Sequence, residues 1–303
     1  MFKRFFLPSI LVLFFFNAVL AQDRGILALT GARYFNEGIS AKNIEIKIDG
    51  SYLLNNRVPL NKEIEFRVQS ATGFTDDKAK TIFAAAELTI LSAKGAVLLK
   101  VPNIFKDNEA KGFPAAAFKE LTAKVQLKPE FIKTEPGCNI KLRFYDLKGK
   151  NQLRVEFPVT MMRAGEPLQT SKLANQIKSA VSAEALSVGT KVKNVHVTLD
   201  TAIRVSPKMA YASFDMTGIE GSTLSEMLSG KESFWVYDSD LNEVKITDKQ
   251  LKQVKGAMED NVVDYLSKIP FRLKTMTGKT YYVRFRWENQ DKRKVIDVVV
   301  KYQ

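Results

Sequence analysis

Strict alternation of apolar and polar residues marks several short segments of the chain, and two of these segments are nearly alike. Residues 42–49 read KNIEIKID and residues 193–200 read KNVHVTLD. Successive side chains of a strand point to opposite faces, so a two-residue period predicts a strand with one buried and one solvated face. The chain is therefore predicted to use nearly the same strand twice.

Further segments of the two halves can be paired in the same order. The pairs are 62–69 with 209–216, 87–92 with 233–238, 97–101 with 244–247, 123–128 with 270–274, and 138–159 with 279–300. The last pair aligns without a gap, and both members contain a turn-forming loop between two alternating runs, which is typical of a hairpin. The pattern predicts a duplication with about seven strands in each half.

Helix-favouring segments interrupt the predicted strands in both halves. They are 75–87, Pro114–Leu121, 222–230 and 248–268. Thr223 and Glu226 have the spacing of a capping box, which favours a helix start. The predicted fold class is mainly β, with two tandem duplicated immunoglobulin-like β-sandwich domains that each carry short helical inserts. The Cys–Trp–Cys pattern of antibody domains is absent, so the likeness is one of architecture.

The first 21 residues have the layout of a secretory signal peptide. Lys3 and Arg4 precede an apolar run from Phe5 to Phe16, and small residues lead to Ala21. The run is too short to span a bilayer, so cleavage after Ala21 is expected. We expect an exported protein, periplasmic or extracellular, without a transmembrane segment in the mature chain.

The remaining residues divide into two predicted domains and a linker. The first domain is assigned to 22–162, the linker to 163–191 and the second domain to 192–303. Leu173, Ile177 and Val181 recur every four residues, which predicts a short amphipathic helix within the linker.

The net charge of +13 favours anionic partners. Removal of the leader, which carries two basic residues and no acidic ones, leaves 44 basic and 33 acidic residues, a net charge of +11. An envelope protein, an anionic glycan or a lipid surface would match this charge, whereas an exported protein rarely meets nucleic acid. The oligomeric state stays open.

Candidate catalytic groups are sparse. Cys138 is the only cysteine and His196 the only histidine, which excludes an intrachain disulfide and most thiol and transition-metal chemistry. Cys138 is expected to be an inert, half-buried thiol and His196 to face solvent. The acid pairs are 76 with 77, 238 with 240 and 259 with 260, and we expect them to be solvated or to cap turns. No cofactor or metal is predicted, and we expect a protein that is not an enzyme.

The candidate binding residues lie on the outward face of the next-to-last strand of each half. That face carries Lys141, Arg143 and Tyr145 in the first half, and Tyr282, Arg284 and Arg286 in the second. Guanidinium and phenol groups side by side suit carboxylates, sulfates, phosphates and sugar rings. The alternative is a solvated face that keeps the protein soluble.

Three apolar residues complete the candidate set. Val295 and Val299 fall on the outward face of the final strand, which indicates contact with a partner, a neighbouring domain or another chain's edge. Trp235 alternates with the core residues of its strand, so an exposed indole would favour glycan stacking and a buried one would belong to the core.

These observations favour a non-catalytic envelope protein, an interaction or scaffold module that binds a protein partner through a sheet face or edge strand. A carbohydrate-binding module for anionic or neutral glycans is the first alternative. A periplasmic chaperone is the second, because two immunoglobulin-like domains in a basic chain resemble the pilus chaperones in outline. A carboxylate-based hydrolase is the third, because two suitably placed acids are enough for glycoside hydrolysis.

Overall fold

The computed structural model describes residues 24–115, 118–131, 136–172, 186–200, 210–244, 253–271 and 280–302. Within these ranges the protein is mainly β, with antiparallel sheets and one short α-helix, α1 (Leu224–Ser229). The strands are β1 (Arg24–Ile26), β2 (Arg33–Glu37), β3 (Asn43–Ile48), β4 (Ser51–Leu53), β5 (Arg57–Val58), β6 (Glu63–Gln69), β7 (Thr81–Ile82), β8 (Ala84–Ser92), β9 (Val97–Val101), β10 (Phe113–Pro114), β11 (Glu120–Gln126), β12 (Gly137–Asp146), β13 (Gln152–Met161), β14 (Thr170–Ser171), β15 (Leu186–Val188), β16 (Asn194–Asp200), β17 (Ala210–Ile219), β18 (Lys231–Tyr237), β19 (Gln253–Glu259), β20 (Val262–Phe271), β21 (Tyr281–Glu288) and β22 (Val295–Tyr302).

Two sheets enclose the first hydrophobic core. One has the strand order β1-β2-β13-β12-β8-β9, with β5 also paired to β13, and the other has the order β11-β6-β3-β4-β14. The inward-facing apolar residues of both sheets form one buried cluster. Within it, Phe66 and Phe157 pack edge to face with their ring centroids 6.0 Å apart. We call this unit the first sandwich.

Two four-stranded sheets enclose the second core, in the orders β15-β22-β21-β18 and β16-β17-β20-β19. Phe214 and Phe285 stack at its centre with their ring centroids 4.4 Å apart. Helix α1 closes one end, where the carbonyl of Met227 accepts a hydrogen bond from Trp287 Nε1 at 3.0 Å. Thr223 and Glu226 form the predicted capping box, so the helix predicted over 222–230 is confirmed. We call this unit the second sandwich.

The long helix predicted over 248–268 is wrong: the described part of this segment belongs to a hairpin. Strands β19 and β20 are joined at Asp260 and Asn261, both of which have positive φ, the backbone of a tight two-residue turn. Val254, Met258, Val262 and Leu266 recur every four positions, as on one side of a helix, but this even spacing also fits the two-residue period of a strand. By the hairpin register, Val254 and Met258 of β19 lie on the same face as Tyr265 and Val263, which are buried in the core, whereas Val262 and Leu266 of β20 lie on the opposite face.

The two helical inserts predicted in the first half are also wrong. In 75–87, the Asp77 carboxylate accepts backbone hydrogen bonds in a turn, and Ala84 to Ala86 begin β8, fully buried. Small side chains fit this crowded strand, so burial overrides the helix preference of alanine. In Pro114–Leu121, Pro114 ends β10 and Glu120 and Leu121 begin β11, so both ends of the predicted insert are strands.

The last two strands of each half form hairpins of equal length. Tyr145 pairs with Gln152 across the first hairpin, and Glu288 pairs with Val295 across the second. Both partners are thus displaced by 143 positions (145 to 288, 152 to 295), so residues 138–159 match residues 281–302. The sequence alignment with 279–300 was therefore two residues out of register.

Several predictions concern residues outside the described ranges. They include the leader (1–21), the linker helix around 173–181 and the strands placed at 245–247 and 272–274. The two described ends of the linker pair with strands, since β14 pairs with β4 and β15 pairs with β22. No helix of the described residues is long and apolar enough to cross a membrane.

Candidate functional site at the junction of the two sandwiches

The outward face of β21 and β22 is covered by the first sandwich. Val295 and Val299 are at most 1% exposed and Tyr282 is 3% exposed. The cover is the amino-terminal hairpin, which we define as β1, β2 and the turn between them. Ile26 and Leu29 of this hairpin share a buried apolar cluster with the valines. The two valines therefore contact a neighbouring domain, and almost none of their surface is left for another partner.

A buried ionic cluster lies at the centre of this junction. Arg284 donates to both carboxylate oxygens of Asp297, from Nε to Oδ1 at 3.0 Å and from Nη2 to Oδ2 at 2.8 Å. Arg286 Nη1 approaches Asp297 Oδ2 at 3.3 Å. The backbone carbonyl of Leu29 accepts from both guanidinium groups, at 3.0 and 3.1 Å. We call Arg284, Arg286 and Asp297 the arginine cluster; the hairpin supplies part of its hydrogen bonding.

The hairpin turn is shaped to approach the arginine cluster closely. Leu29 and Gly31 both have positive φ, and a Cβ at Gly31 would lie 2.1 Å from Arg284 Nη1. Glycine is required here by the backbone and by the contact, because a side chain would displace the guanidinium group.

Two aromatic residues of β18 border the cluster. The Cζ atom of Arg284 lies 4.7 Å from the centroid of the Trp235 ring, within the range of a cation–π contact. Trp235 is half-buried, so its indole is neither fully exposed, as glycan stacking would favour, nor buried as part of the core. Burial raises the pKa of Tyr237, and the positive charge of Arg284 acts in the opposite direction. Arg284 is thus held on several sides by the protein itself.

Polar contacts extend the junction to the loop after β18. Tyr282 donates its hydroxyl to the carbonyl of Arg24 at 2.9 Å. Arg24 Nη1 lies 2.8 Å from Asp240 Oδ1, and Arg33 Nη1 donates to the carbonyl of Leu241 at 2.9 Å. Both ends of the amino-terminal hairpin are therefore fixed to the second sandwich.

A cleft of about 370 Å³ opens beside the arginine cluster. We call it the junction cleft, because both sandwiches line it. Its lining residues are Leu29, Thr30, Gly31, Asn55, Asn56, Arg57, Pro158 and Gln169 from the first sandwich and Lys231, Ser233, Trp235, Tyr237, Glu243, Arg284, Arg286, Glu288 and Lys292 from the second. Five of these side chains are cationic and two are carboxylates, so the cleft favours an anionic ligand.

Two guanidinium groups of the junction cleft keep a buried nitrogen without a hydrogen-bond partner among the described residues. These nitrogens are Nη2 of Arg286 and Nε of Arg57. Arg286 is only 5% exposed, and its other nitrogens bind Asp297, Glu288 and the Leu29 carbonyl. A buried, unpaired guanidinium nitrogen is costly, so an oxyanion in the cleft would supply missing acceptors.

The rim of the junction cleft carries a further ion pair. Arg57 Nη2 lies 2.5 Å from Glu166 Oε2. The hydrogen bond from Arg57 holds the pKa of Glu166 below its usual value, with further contributions from the backbone of Arg163 and the charge of Lys292. Lys292 of the second sandwich is therefore close enough to influence the first.

The corresponding face of the first sandwich has a different environment. Lys141 pairs with Glu156 at 3.0 Å and Arg143 with Glu87 at 3.2 Å, and the guanidinium of Arg143 lies over the ring of Tyr145. Lys141 and Arg143 are about 40% exposed. Their positive charges are matched within the sheet, as expected for a solvated face.

Sequence reasoning identified Trp235, Arg284 and Arg286 but not the other cations of the junction cleft. Arg57 and Lys231 lie at strand starts with no motif around them. Lys292 lies in the loop between β21 and β22, a position where cations are commonly solvated. Only the fold brings these three residues together, because they come from separate strands and loops of two units.

The acid pairs, the cysteine and the histidine that could have carried chemistry lie in turns, in the core or on the surface. The carboxylates of Asp77 and Asp238 accept backbone hydrogen bonds in turns, and Asp260 forms a hairpin turn. Cys138 is buried, not half-buried as expected, because its side chain belongs to the first core, and burial raises the pKa of its thiol to about 11, which makes it unreactive. His196 is exposed on β16, as predicted.

Among the described residues, no three His, Cys, Asp or Glu side chains are grouped as a metal site would require. No protein-family model matches the chain, and no curated protein matches it significantly. Function is therefore inferred from geometry and charge.

Proposed function

We propose that the protein is a non-catalytic binding module of the cell envelope that holds an anionic ligand in the junction cleft. One observation carries this proposal: Arg286 is buried at a cleft with an excess of cations, and its Nη2 has no acceptor among the described residues. Of the functions that the sequence favours, recognition of an anionic glycan best matches this arrangement. Export is supported by the leader-like residues 1–21.

We further propose that the two sandwiches are duplicated immunoglobulin-like domains. The strand order β2-β13-β12-β8 corresponds to β15-β22-β21-β18, and the order β11-β6-β3 corresponds to β20-β17-β16. The two hairpins of equal length support the same relationship. In this proposal the second copy lost its solvated face when the amino-terminal hairpin of the first copy covered it.

Titration with inorganic phosphate and sulfate tests the binding proposal. The chain has two tryptophans, and only Trp235 lines the junction cleft, so its fluorescence is the readout. We expect a saturable change that weakens with added sodium chloride, is lost in Arg286→Met and persists in Arg143→Met, a matched change on the solvated face. Equal loss in both variants, or no saturable change with any inorganic or organic anion, would contradict the proposal.

A protein partner that adds a strand to β9 is the second candidate. Strand β9 is the outermost strand of its sheet among the described residues, and Val97 on it is 62% exposed. A photo-crosslinker at position 97 tests it in the envelope: a defined protein adduct would support this candidate, and the absence of any adduct would count against it.

A further inference from the structure

We infer that the junction cleft takes an acidic sugar of the uronate type, a pyranose ring that carries one carboxylate. This inference rests on the proposed function and specifies the ligand class. Four properties of the cleft lead to it: its net charge, the geometry of its anchoring groups, the chemistry of its walls and its size.

The charge balance of the cleft matches a single negative charge. The five lining cations face the lining carboxylates of Glu243 and Glu288. Two further carboxylates bind lining cations directly: Asp297 binds Arg284 and Glu166 binds Arg57. Five positive and four negative groups leave one positive charge. A monoanionic carboxylate would balance it, whereas a phosphate monoester, with up to two negative charges at neutral pH, would overcompensate it.

The anchoring groups have the geometry that a carboxylate needs. Arg286 offers a planar guanidinium group whose position is fixed by Asp297, Glu288 and the Leu29 carbonyl. A fixed guanidinium loses little rotational freedom on binding, and its remaining nitrogen, Nη2, can donate a charge-assisted hydrogen bond to a carboxylate oxygen. Arg57 brings a second guanidinium group to the cleft from the other sandwich.

The walls of the cleft suit hydroxyl groups rather than a hydrocarbon chain. Amides and hydroxyls that both donate and accept hydrogen bonds line it: Thr30, Asn55, Asn56, Gln169 and Ser233. Aliphatic lining comes from Leu29 and Pro158 alone among the described residues, too little to hold the tail of a fatty acid. The indole of Trp235 adds an aromatic surface of the kind that packs against sugar rings.

The volume agrees with a small organic ligand. Pockets for such ligands span roughly 300 to 1,000 Å³, so a cleft of about 370 Å³ lies near the lower end. An inorganic anion would leave most of this space unfilled. One sugar ring, or a terminal ring of a longer glycan, would occupy it.

The test compares sugars that differ in the carboxylate alone. D-galacturonate and D-glucuronate are titrated beside D-galactose and D-glucose, with phosphate and L-glutamate as further anions, by calorimetry and Trp235 fluorescence. We expect at least tenfold tighter binding of one uronate than of its neutral counterpart, phosphate or glutamate. Arg286→Met should weaken uronate binding at least tenfold, and Arg143→Met should leave it unchanged.

Lys292→Met serves as a second variant, because Lys292 is half-buried in a loop and its replacement does not disturb the arginine cluster. It should weaken uronate binding severalfold even if Arg286→Met does not fold. Saturable phosphate or glutamate binding with uronates no tighter than neutral sugars would overturn the sugar assignment and leave the proposed function standing. Absence of binding for every anion would overturn both. Uronate binding that is unaffected by Arg286→Met and Lys292→Met would place the site elsewhere and overturn the inference.

Discussion

The last hairpin of each sandwich carries two cations on its outward face, and the two faces have opposite environments. By the hairpin registers, Lys141 and Arg143 of the first sandwich occupy the positions of Arg284 and Arg286 in the second. The first pair is about 40% exposed and bound to neighbouring carboxylates, whereas the second pair is at most 7% exposed beneath the first sandwich. The same pattern of cations thus gives a solvated face in one unit and an interface in the other.

The residues beside these cations explain the difference. Glu156 of the first hairpin corresponds to Val299 of the second, and Gln152 corresponds to Val295. The two valines make the second face apolar enough to be buried against another unit. Its buried arginines then need hydrogen-bond acceptors, which Asp297 and the Leu29 carbonyl supply. An exposed ion pair contributes about 0 to 1 kcal/mol, whereas removing one partner of a buried pair costs about 3 to 5 kcal/mol.

The largest effect is expected when the carboxylate of the buried cluster is removed. Asp297→Asn leaves Arg284 and Arg286 buried with less compensation, and should lower the free energy of unfolding by about 3 to 5 kcal/mol. Glu87→Gln removes the carboxylate that faces Arg143, and should cost less than about 1 kcal/mol. Urea unfolding of both variants measures the difference, and equal losses would show that the two faces are energetically alike.

A smaller effect is expected from the turn that approaches the arginine cluster. Gly31→Ala adds a strained backbone and a clash with Arg284, and should cost about 3 kcal/mol. Gly165→Ala also places alanine at a positive φ but meets no atom within 4 Å, so it should cost about 1 kcal/mol. Thermal unfolding isolates the contribution of the contact, and identical melting temperatures in the two variants would contradict it.

The smallest effect on stability is expected from the buried thiol of Cys138. In the hairpin registers, Cys138 of the first hairpin occupies the position of Tyr281 in the second. The unfolded thiol ionises near pH 9, and burial raises the pKa of the folded thiol to about 11. Its contribution to stability is complete below pH 9 and is lost as the pH rises through about 11, by up to about 2.5 kcal/mol. Unfolding at pH 8 and pH 10.5 should show this loss in the wild type and not in Cys138→Ala. Parallel pH dependence of the two proteins would be inconsistent with a buried thiol.

The sequence predicted the strands well because alternation reports which face of a strand is buried. The same period explains two errors. Shifting the alignment of the two hairpins by two residues leaves every side chain on the same face of its strand. The alternating pattern therefore could not distinguish the predicted offset of 141 positions from the observed offset of 143 in the hairpins that contain Arg143 and Arg286. Apolar residues every four positions, such as Val254 and Met258, fit both one side of a helix and one face of a strand.

The junction could not be predicted from these local patterns. The valines at 295 and 299 indicated that something covers the final strand, but the covering residues lie more than 250 positions earlier in the chain. No local sequence pattern marks the cleft cations Arg57, Lys231 and Lys292, because only the relative position of the two sandwiches brings them to one cleft.

The contacts of the amino-terminal hairpin also have a kinetic consequence. The hydrogen bonds from Arg284, Arg286 and Tyr282 join residues 255, 257 and 258 positions apart, nearly the whole length of the chain. Contacts between residues so far apart in the sequence form late in folding, because the local structure around each partner must form first. Each sandwich can therefore complete its core before the two dock, and refolding should end with a slow phase that belongs to docking alone. Until that phase is complete, the apolar surface around Val299 is exposed, and aggregation is most probable in this interval.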